Sequence, residues 1–317
     1  MTQCVAPDPD PVRDRILSWY ARHGRDLPWR QTRDPYAILV AEVMLQQTGV
    51  ERVLPKFAEF LAAYPTIQSL AAAPRAEVIR RWAPLGYNLR AVRLHEIAQV
   101  AVRDFGGALP PDRDALRQLR GIGDYTAGAI ACFAFGDDRA FLDTNIRRVL
   151  GRIFHGGDLP KTAAGERRAR AIADAALPRG RVYDWHQALM DLGATVCRAT
   201  APACLICPVR DFCRYAAGDH PKPAVDPAPA KPAGAFVGSS RYYRGRVVDH
   251  LRGADDRGLA LDQIGAAIKA DYTPADRAWL GDLVGRLERD GLVRRVAEDV
   301  VTYRLADGSS DSKSIGE

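Results

Sequence analysis

The 317-residue sequence is short of cysteine, of lysine and of long apolar runs, and each shortage excludes a class of protein. Six cysteines are too few to staple a chain of this length by disulfides, and its start, MTQCVAPDPDPVRDR, has no secretory h-region. The expected compartment is therefore a reducing cytoplasm, with nucleoid association if the source is bacterial. The longest apolar stretch, Ala127 to Phe135, falls well below the roughly 20 residues that span a bilayer, so no membrane partner is predicted. Only Lys56, Lys161, Lys222, Lys231, Lys269 and Lys313 among 45 basic residues are lysines; arginine carries the rest of a net charge of +6. A positive balance built from arginine suits an acidic partner such as nucleic acid, because the guanidinium grips phosphate with two parallel hydrogen bonds.

β-type alternation is also scarce from Val12 to about Ala217, where apolar residues recur at intervals of three and four. Val12, Ile16, Leu17 and Tyr20 form one stripe, Val78, Trp82 and Leu85 another, and Ile146, Val149, Leu150 and Ile153 a third, which predicts an all-α region. Between 218 and 238 the composition shifts to Pro, Ala and Lys, which reads as a semi-rigid linker. Beyond it, helices are expected at Arg244 to Arg252, Leu261 to Lys269 and Ala275 to Arg289, the last with Thr273 as N-cap and Pro274 at its first position. The runs LVRRVA and VVTYRLA, joined by a turn at Glu298 and Asp299, predict a hairpin. Three helices and a hairpin in that order resemble a winged-helix fold. Residues 1–11 and 307–317 are expected to be disordered.

Three segments carry chemistry. In Ala37 to Thr48 the lone carboxylate Glu42 has Ile38, Leu39, Leu45 and Gln46 at three and four residues either side, so it lies on a largely apolar helix face. Burial disfavours the ionised carboxylate and equips it to donate a proton near neutral pH; pairing with a buried arginine is the structural alternative. In Leu119 to Ala129, Gly121 and Gly123 permit a tight turn and Thr126 leads into an alanine-rich helix. The backbone N–H groups of such a turn, with the positive end of the helix that follows, form an anion cradle suited to a DNA phosphate, although simple turn chemistry also accounts for the two glycines. In Phe141 to Leu150, Asp143 and Asn145 stand immediately before an amphipathic helix. Either can serve as an N-cap, but a second carboxylate beside a buried acid is also what cleavage of a glycosidic bond requires.

Cys197, Cys204, Cys207 and Cys213 follow the spacing C-x6-C-x2-C-x5-C, four thiols within 17 residues. Such a set can converge on one metal centre, and the spacing alone leaves structural zinc and an iron-sulfur cluster both open. Cys4 and Cys132 have no evident partners.

Taken in order, LPW at 27–29, EVMLQQT at 42–48, LGY at 85–87, GIGDYTAGA at 121–129, LDTN at 142–145 and MDLGA at 190–194, with the cysteines last, resemble the helix-hairpin-helix DNA glycosylases of the HhH-GPD superfamily that carry a [4Fe-4S] cluster, above all the MutY-type adenine glycosylases. The match runs from about Ile16 to Tyr215. The resemblance implies an all-α glycosylase core at 12–217, with a six-helix barrel at 26–135 and a cluster domain from 12–25 and 136–217, followed by a small α+β winged-helix-like domain at 239–306. It makes the metal centre a [4Fe-4S] cluster on the four cysteines. It gives Glu42 the role of protonating N7 of an extruded adenine, Asp143 that of stabilising the sugar cation, and Tyr125 and Asn145 supporting roles. Gln46, Gln47, Thr48, Leu85, Gly86 and Tyr87 match positions near the gap left by the flipped base and near the opposite purine, Gly121, Gly123 and Thr126 the phosphate cradle, and Arg30 a base-pocket residue.

Relatives that also cut the strand place a Schiff-base lysine at the position of Tyr125, whereas between Asp26 and Leu150 the only lysine is Lys56, so a monofunctional enzyme is expected. Its implied partner is double-stranded DNA containing a mismatch or lesion, bound by a monomer. Typical MutY-type proteins continue into a Nudix-like domain, which the linker and winged-helix-like segment replace here; that segment orients the enzyme or meets a partner protein. Two rivals stand beside this reading: a thymine or uracil mismatch glycosylase, which shares WRQTRDPY and an equivalent acid, and a non-catalytic DNA-binding or redox-sensing protein. Gln46, Gln47 and Tyr87 favour the adenine branch over the first, and the intact Glu42 and Asp143 argue against the second.

Overall fold

The computed structural model describes residues 9–218, 236–255, 257–297 and 300–307. Most of the expected linker, Cys4, the turn at Glu298 and Asp299, and the tail from 308 lie outside the described residues. The helices are α1 (Pro9–His23), α2 (Pro35–Leu45), α3 (Val50–Ala63), α4 (Ile67–Ala72), α5 (Arg75–Arg81), α6 (Leu89–Asp104), α7 (Arg113–Gln118), α8 (Asp124–Phe135), α9 (Thr144–Leu150), α10 (Ala163–Ala176), α11 (Val182–Thr195), α12 (Ser240–Arg252), α13 (Leu261–Ile268) and α14 (Arg277–Arg289). Three short strands complete the described chain: β1 (Leu259–Ala260), β2 (Val293–Ala297) and β3 (Val301–Leu305). The protein is thus mostly helical with a small C-terminal sheet. The chain forms two compact units: Met1–Leu39 with Pro110–Gln118 and Ile122–Pro227, and Val40–Leu109 with Leu119–Gly121 and Ala228–Glu317.

In the first unit α1 packs on α10 and α11 and buries Val12 and Ile16 of the expected stripe together with Trp19, while Leu17 and Tyr20 are only half-buried because the contact face is turned toward Trp19. Arg13 fastens the contact by donating to the carbonyls of Ala175 and Ala176, two of those left unpaired at the end of α10. Helix α9 lies against α10 and α11, and a π-helical turn, Gly151–His155, continues it. The approach of α11 to α9 depends on Gly193, where an added Cβ would stand 2.7 Å from the Cβ of Asn145. In α8, Gly128 plays the same part, its missing Cβ leaving room for Phe141.

In the second unit α4 and α5 pack on α6, and Trp82, fully buried, meets Phe60 of α3 edge-on at 6.0 Å. Leu85 of the second predicted stripe is buried but lies beyond the end of α5, in the loop toward α6. The C-terminal helices α12, α13 and α14 enclose Val247, Leu251, Ile264, Leu280 and Leu287. The expected hairpin is present as β2 and β3, paired antiparallel from Val293 opposite Leu305 to Ala297 opposite Val301. The unforeseen β1 adds to the other edge of β3, giving the order β1-β3-β2. Helix α12 starts at Ser240 rather than Arg244 because the Ser239 side chain accepts from the N–H of Tyr242 at 3.2 Å. Thr273 caps as expected, with Asp276 answering to its N–H at 2.9 Å, but the first turn is 3-10 and α14 proper begins at Arg277. Arg252 holds this segment to the rest of the unit, donating to the Asn88 side chain at 2.7 Å and to the Ile79 carbonyl at 3.2 Å.

Candidate active site

In the second unit, Glu42 lies on α2 between residues that are all buried, and is itself only 6% exposed. Helix α2 ends at Leu45, and Gln47 just past it adopts a left-handed φ of +56°. A second tight turn holds Leu85, Gly86 and Tyr87, with φ of +70° at Gly86 and +45° at Tyr87. Positive φ is free for glycine and unfavourable for a glutamine or tyrosine, so both residues depend on their surroundings to stay there. What holds them is Arg90, which donates to carbonyls at the end of α2, to the Thr48 hydroxyl at 3.0 Å, and to the carbonyls of Leu85 and Gly86 at 3.2 and 3.1 Å. Tyr87, in the loop between α5 and α6, remains 43% exposed. Its ring lies under two guanidiniums, those of Arg90 and Arg241, and its hydroxyl accepts from Arg241 at 2.9 Å. Gln46, Gln47, Tyr87, Gly121, Arg93 and Arg241 line one cleft of about 410 Å³. Gly121 has φ +106°, and a Cβ there would press on Arg93 at 3.1 Å.

In the first unit, Gly123 is the N-cap of α8, and Thr126 in its first turn is buried. Asp143 caps α9, accepting from the Ile146 N–H at 2.6 Å and from the Asn145 amide at 3.1 Å. Asn145 is fixed in turn by Arg148, whose guanidinium donates to its carbonyl oxygen at 2.8 Å and to the Gly193 carbonyl. Burial pushes the Asp143 pKa up, opposed by those hydrogen bonds and by the charge of Arg148. The Tyr125 hydroxyl contacts Met190 sulfur at 3.6 Å, and its ring lies 5.8 Å from that of Phe141. Arg30 spends both terminal nitrogens on Asp191, at 2.9 and 2.7 Å, and Arg25 joins the same carboxylate. Burial would raise the Asp191 pKa, but the two arginines prevail and hold it below the ordinary carboxylate range.

Cys197, Cys204, Cys207 and Cys213 all line one small cavity, its other walls formed largely by Val149, Ile153, Leu192, Val196 and Val209. None is in a disulfide. Burial raises the thiol pKa values of Cys197, Cys207 and Cys213, that of Cys207 to about 11, while Arg152, with Nη1 3.6 Å from the Cys197 sulfur, pulls Cys197 the other way. Arg152 also donates to the carbonyls of Arg198 and Ala199, and Arg148 to that of Cys197, so two arginines shape the start of the cysteine loop. Among the described residues no three His, Cys, Asp or Glu side chains are arranged to hold a single metal ion.

Sequence reasoning did not single out Arg90, Arg148, Arg152 or Asp191. Asp191 was within reach, because it stands alone among apolar neighbours in ALMDLG just as Glu42 does in ILVAEVML. The arginines were not, since their partners are mostly backbone carbonyls, which leave no mark in a sequence.

Comparison with known proteins fits this arrangement. The family described as "HhH-GPD superfamily base excision DNA repair protein" matches residues 40–174. The adenine DNA glycosylase of Mycobacterium tuberculosis is 37% identical over 312 residues, spanning 96% of this chain and 96% of that protein. The human adenine DNA glycosylase is 42% identical over 64% of this chain and 39% of its own length. Among solved structures, a thermostable thymine-DNA glycosylase is 32% identical and superimposes with a TM-score of 0.62 over 66% of this chain and 97% of that one. Similarity of that degree, running almost end to end in the mycobacterial relative, makes the chain a member of the HhH-GPD base excision DNA repair superfamily, in its MutY-type adenine DNA glycosylase family.

Proposed function

We propose that this protein is a monofunctional DNA glycosylase of base excision repair that hydrolyses the N-glycosidic bond of adenine mispaired with 8-oxoguanine or guanine. The observation that carries the reading is the 37% identity to an adenine DNA glycosylase across 96% of both chains. Glu42, buried on α2, is the general acid that protonates N7 of the extruded adenine. Asp143, held by the Ile146 N–H and the Asn145 amide, is the carboxylate that faces the developing oxocarbenium ion, with Tyr125 and Asn145 in support. Tyr87 and Gln47 fill the gap in the stack, offsetting the few kcal/mol that unstacking a base costs. Gln46, Thr48, Leu85 and Gly86 complete that loop pair, Gly121, Gly123 and Thr126 cradle a phosphate, and Arg30 borders the base pocket through its pairing with Asp191. Lys56, whose ammonium is engaged by Glu59 at 2.6 Å, offers no Schiff-base chemistry.

The four cysteines would hold a [4Fe-4S] cluster. A lone zinc ion draws four sulfurs to about 2.3 Å from one point, whereas thiols distributed around an apolar cavity, with arginine N–H donors beside them, suit a larger anionic group. When bound, the cluster supplies a rigid cross-link through that loop. The surrounding architecture is a six-helix barrel with a cluster domain, and α12–α14 with the sheet form a winged-helix-like domain.

The test presents the purified protein with duplexes bearing A opposite 8-oxoguanine, A opposite G, and T or U opposite G, followed by hot alkali. Cleavage of the adenine strand is expected; cleavage at T or U selects the mismatch branch, and none selects a non-catalytic protein. Glu42→Gln should lower the single-turnover rate by about 10²–10⁴-fold and leave duplex binding intact. Near-normal turnover would show that the acid lies elsewhere.

A further inference from the structure

Arg90 is 8% exposed and sits on α6, away from every charged motif of the sequence. Its Nη1 donates to the carbonyls of Val43, Met44 and Gln46 at 3.0, 2.8 and 2.5 Å, and its Nη2 to the Thr48 hydroxyl and the carbonyls of Leu85 and Gly86. The first three acceptors belong to the end of α2, where helical carbonyls lack internal partners and the helix dipole favours a positive charge. The last two belong to the turn that ends in Tyr87. All six acceptors are neutral oxygens. The guanidinium carbon lies 5.3 Å from the centre of the Trp82 ring and 5.5 Å from that of Tyr87. Burial among such partners holds its pKa down at about 10, still well above neutrality, so the charge persists.

We propose that Arg90 is a positioning residue that clasps the end of the acid helix to the wedge turn, so that insertion of Tyr87 into DNA and placement of Glu42 against the extruded base occur as one event. The inference rests on the function proposed above and adds to it a residue that touches neither base nor sugar. Its logic is geometric. Gln47 and Tyr87, the two non-glycine residues with positive φ in these turns, each stand beside acceptors of one flat five-donor group, Gln47 between Gln46 and Thr48 and Tyr87 after Leu85 and Gly86, and that planar fork supplies enough donors for both segments at once. Lysine keeps the charge but offers one nitrogen, and so cannot span both segments.

A double-mutant cycle tests the clasp, with Arg90→Lys, Tyr87→Ala and the pair assayed for single-turnover excision of adenine opposite 8-oxoguanine. Duplexes carrying 2-aminopurine at the target position report extrusion separately by fluorescence. Misplacement of a reacting group by about 1 Å costs about 10²-fold, so Arg90→Lys should lose about that much in rate and should lose the fluorescence rise while still melting cooperatively. If Arg90 acts through the wedge, the double variant falls little further than the worse single one. A double loss equal to the product of the two single losses, or an Arg90→Lys rate within threefold of wild type, overturns the proposal. Should Arg90→Lys melt below the assay temperature, Thr48→Val removes one acceptor and leaves the guanidinium in place, and the same cycle with Tyr87→Ala decides: coupled losses support the clasp, multiplicative ones overturn it. A wild-type protein that releases no adenine defeats the proposed function, and the clasp with it; an active wild type with uncoupled variants defeats the clasp alone.

Discussion

His186 lies flat against Phe141, ring centroids 3.8 Å apart, and accepts the Phe141 N–H on Nε2 at 3.2 Å. That bond fixes the tautomer: Nδ1 carries the proton and donates to the Val182 carbonyl at 2.9 Å. Protonating Nε2 would break the first bond and bring a charge into a site that is 1% exposed, and burial accordingly pushes the pKa down to about 4. Between that value and the unperturbed 6.5 the unfolded chain binds the extra proton and the folded one does not. The stabilisation is therefore complete above about pH 6.5 and is lost as pH falls toward 4, by about 3 kcal/mol. Urea unfolding from pH 7.5 to 4 should show this loss in the wild type and a flatter profile in His186→Gln; parallel profiles would place the titration elsewhere. Asp143 has the opposite sign, since a carboxylate pKa raised by burial withdraws stability as pH rises, so the difference between wild type and variant is the quantity to read. Phe141 stands two residues before Asp143, which makes His186 part of what holds the start of α9.

Among the elements, α12 joins the C-terminal segment to the rest of its unit largely through arginines. Arg252 reaches the Asn88 amide and the Ile79 carbonyl, and Arg241 the Tyr87 hydroxyl. Losing a partly buried, charge-assisted pair of hydrogen bonds costs about 1.5–3 kcal/mol, so Arg252→Ala should speed amide hydrogen exchange in α12–α14 about tenfold or more while α4 and α6 keep their protection. Equal exchange in wild type and variant would mean that the segment is held by other contacts. The elements were also the most legible part of the sequence. The third stripe is buried in full, the first keeps Val12 and Ile16 but turns Trp19 inward and leaves Leu17 and Tyr20 half-buried, and Thr273 is the N-cap that its place before Pro274 implies. β1 escaped notice because two residues carry no period, and Leu85 was assigned to a helical stripe because burial in a loop has the same appearance in a sequence as burial on a helix. In the candidate site, side chains with apolar neighbours, such as Glu42, could be read, whereas groups whose partners are carbonyls, such as Arg90 and Arg152, could not. Gly193 stood inside a recognised motif, but its reason, that any Cβ there would stand 2.7 Å from the Cβ of Asn145, exists only in three dimensions.

For the molecule as a whole, the cysteine loop closes the first unit's described chain, held by Arg152 and by the N–H groups of Arg214 and Tyr215 bonded to the carbonyls of Ile153 and Arg152. If the thiols carry an iron-sulfur cluster, Cys207→Ser should lower bound iron and acid-labile sulfide, and should lower Tm by about 5–10 °C through loss of a few kcal/mol. Hydrogen exchange should then rise first in residues 197–217. Full iron content with an unchanged Tm in this variant would rule out the cysteine set as the ligand set.

The first unit also draws on both ends of a long stretch of chain, because α1 buries its stripe against α10 and α11 and Arg13 finds its acceptors 162 and 163 residues later. At a translation speed of about 5–20 residues per second, a newborn α1 waits roughly 8–30 seconds on the ribosome before the surfaces it needs have been made. During that interval Val12, Ile16 and Trp19 are an uncovered greasy ridge, and a nascent polypeptide in that condition is a natural client for chaperones.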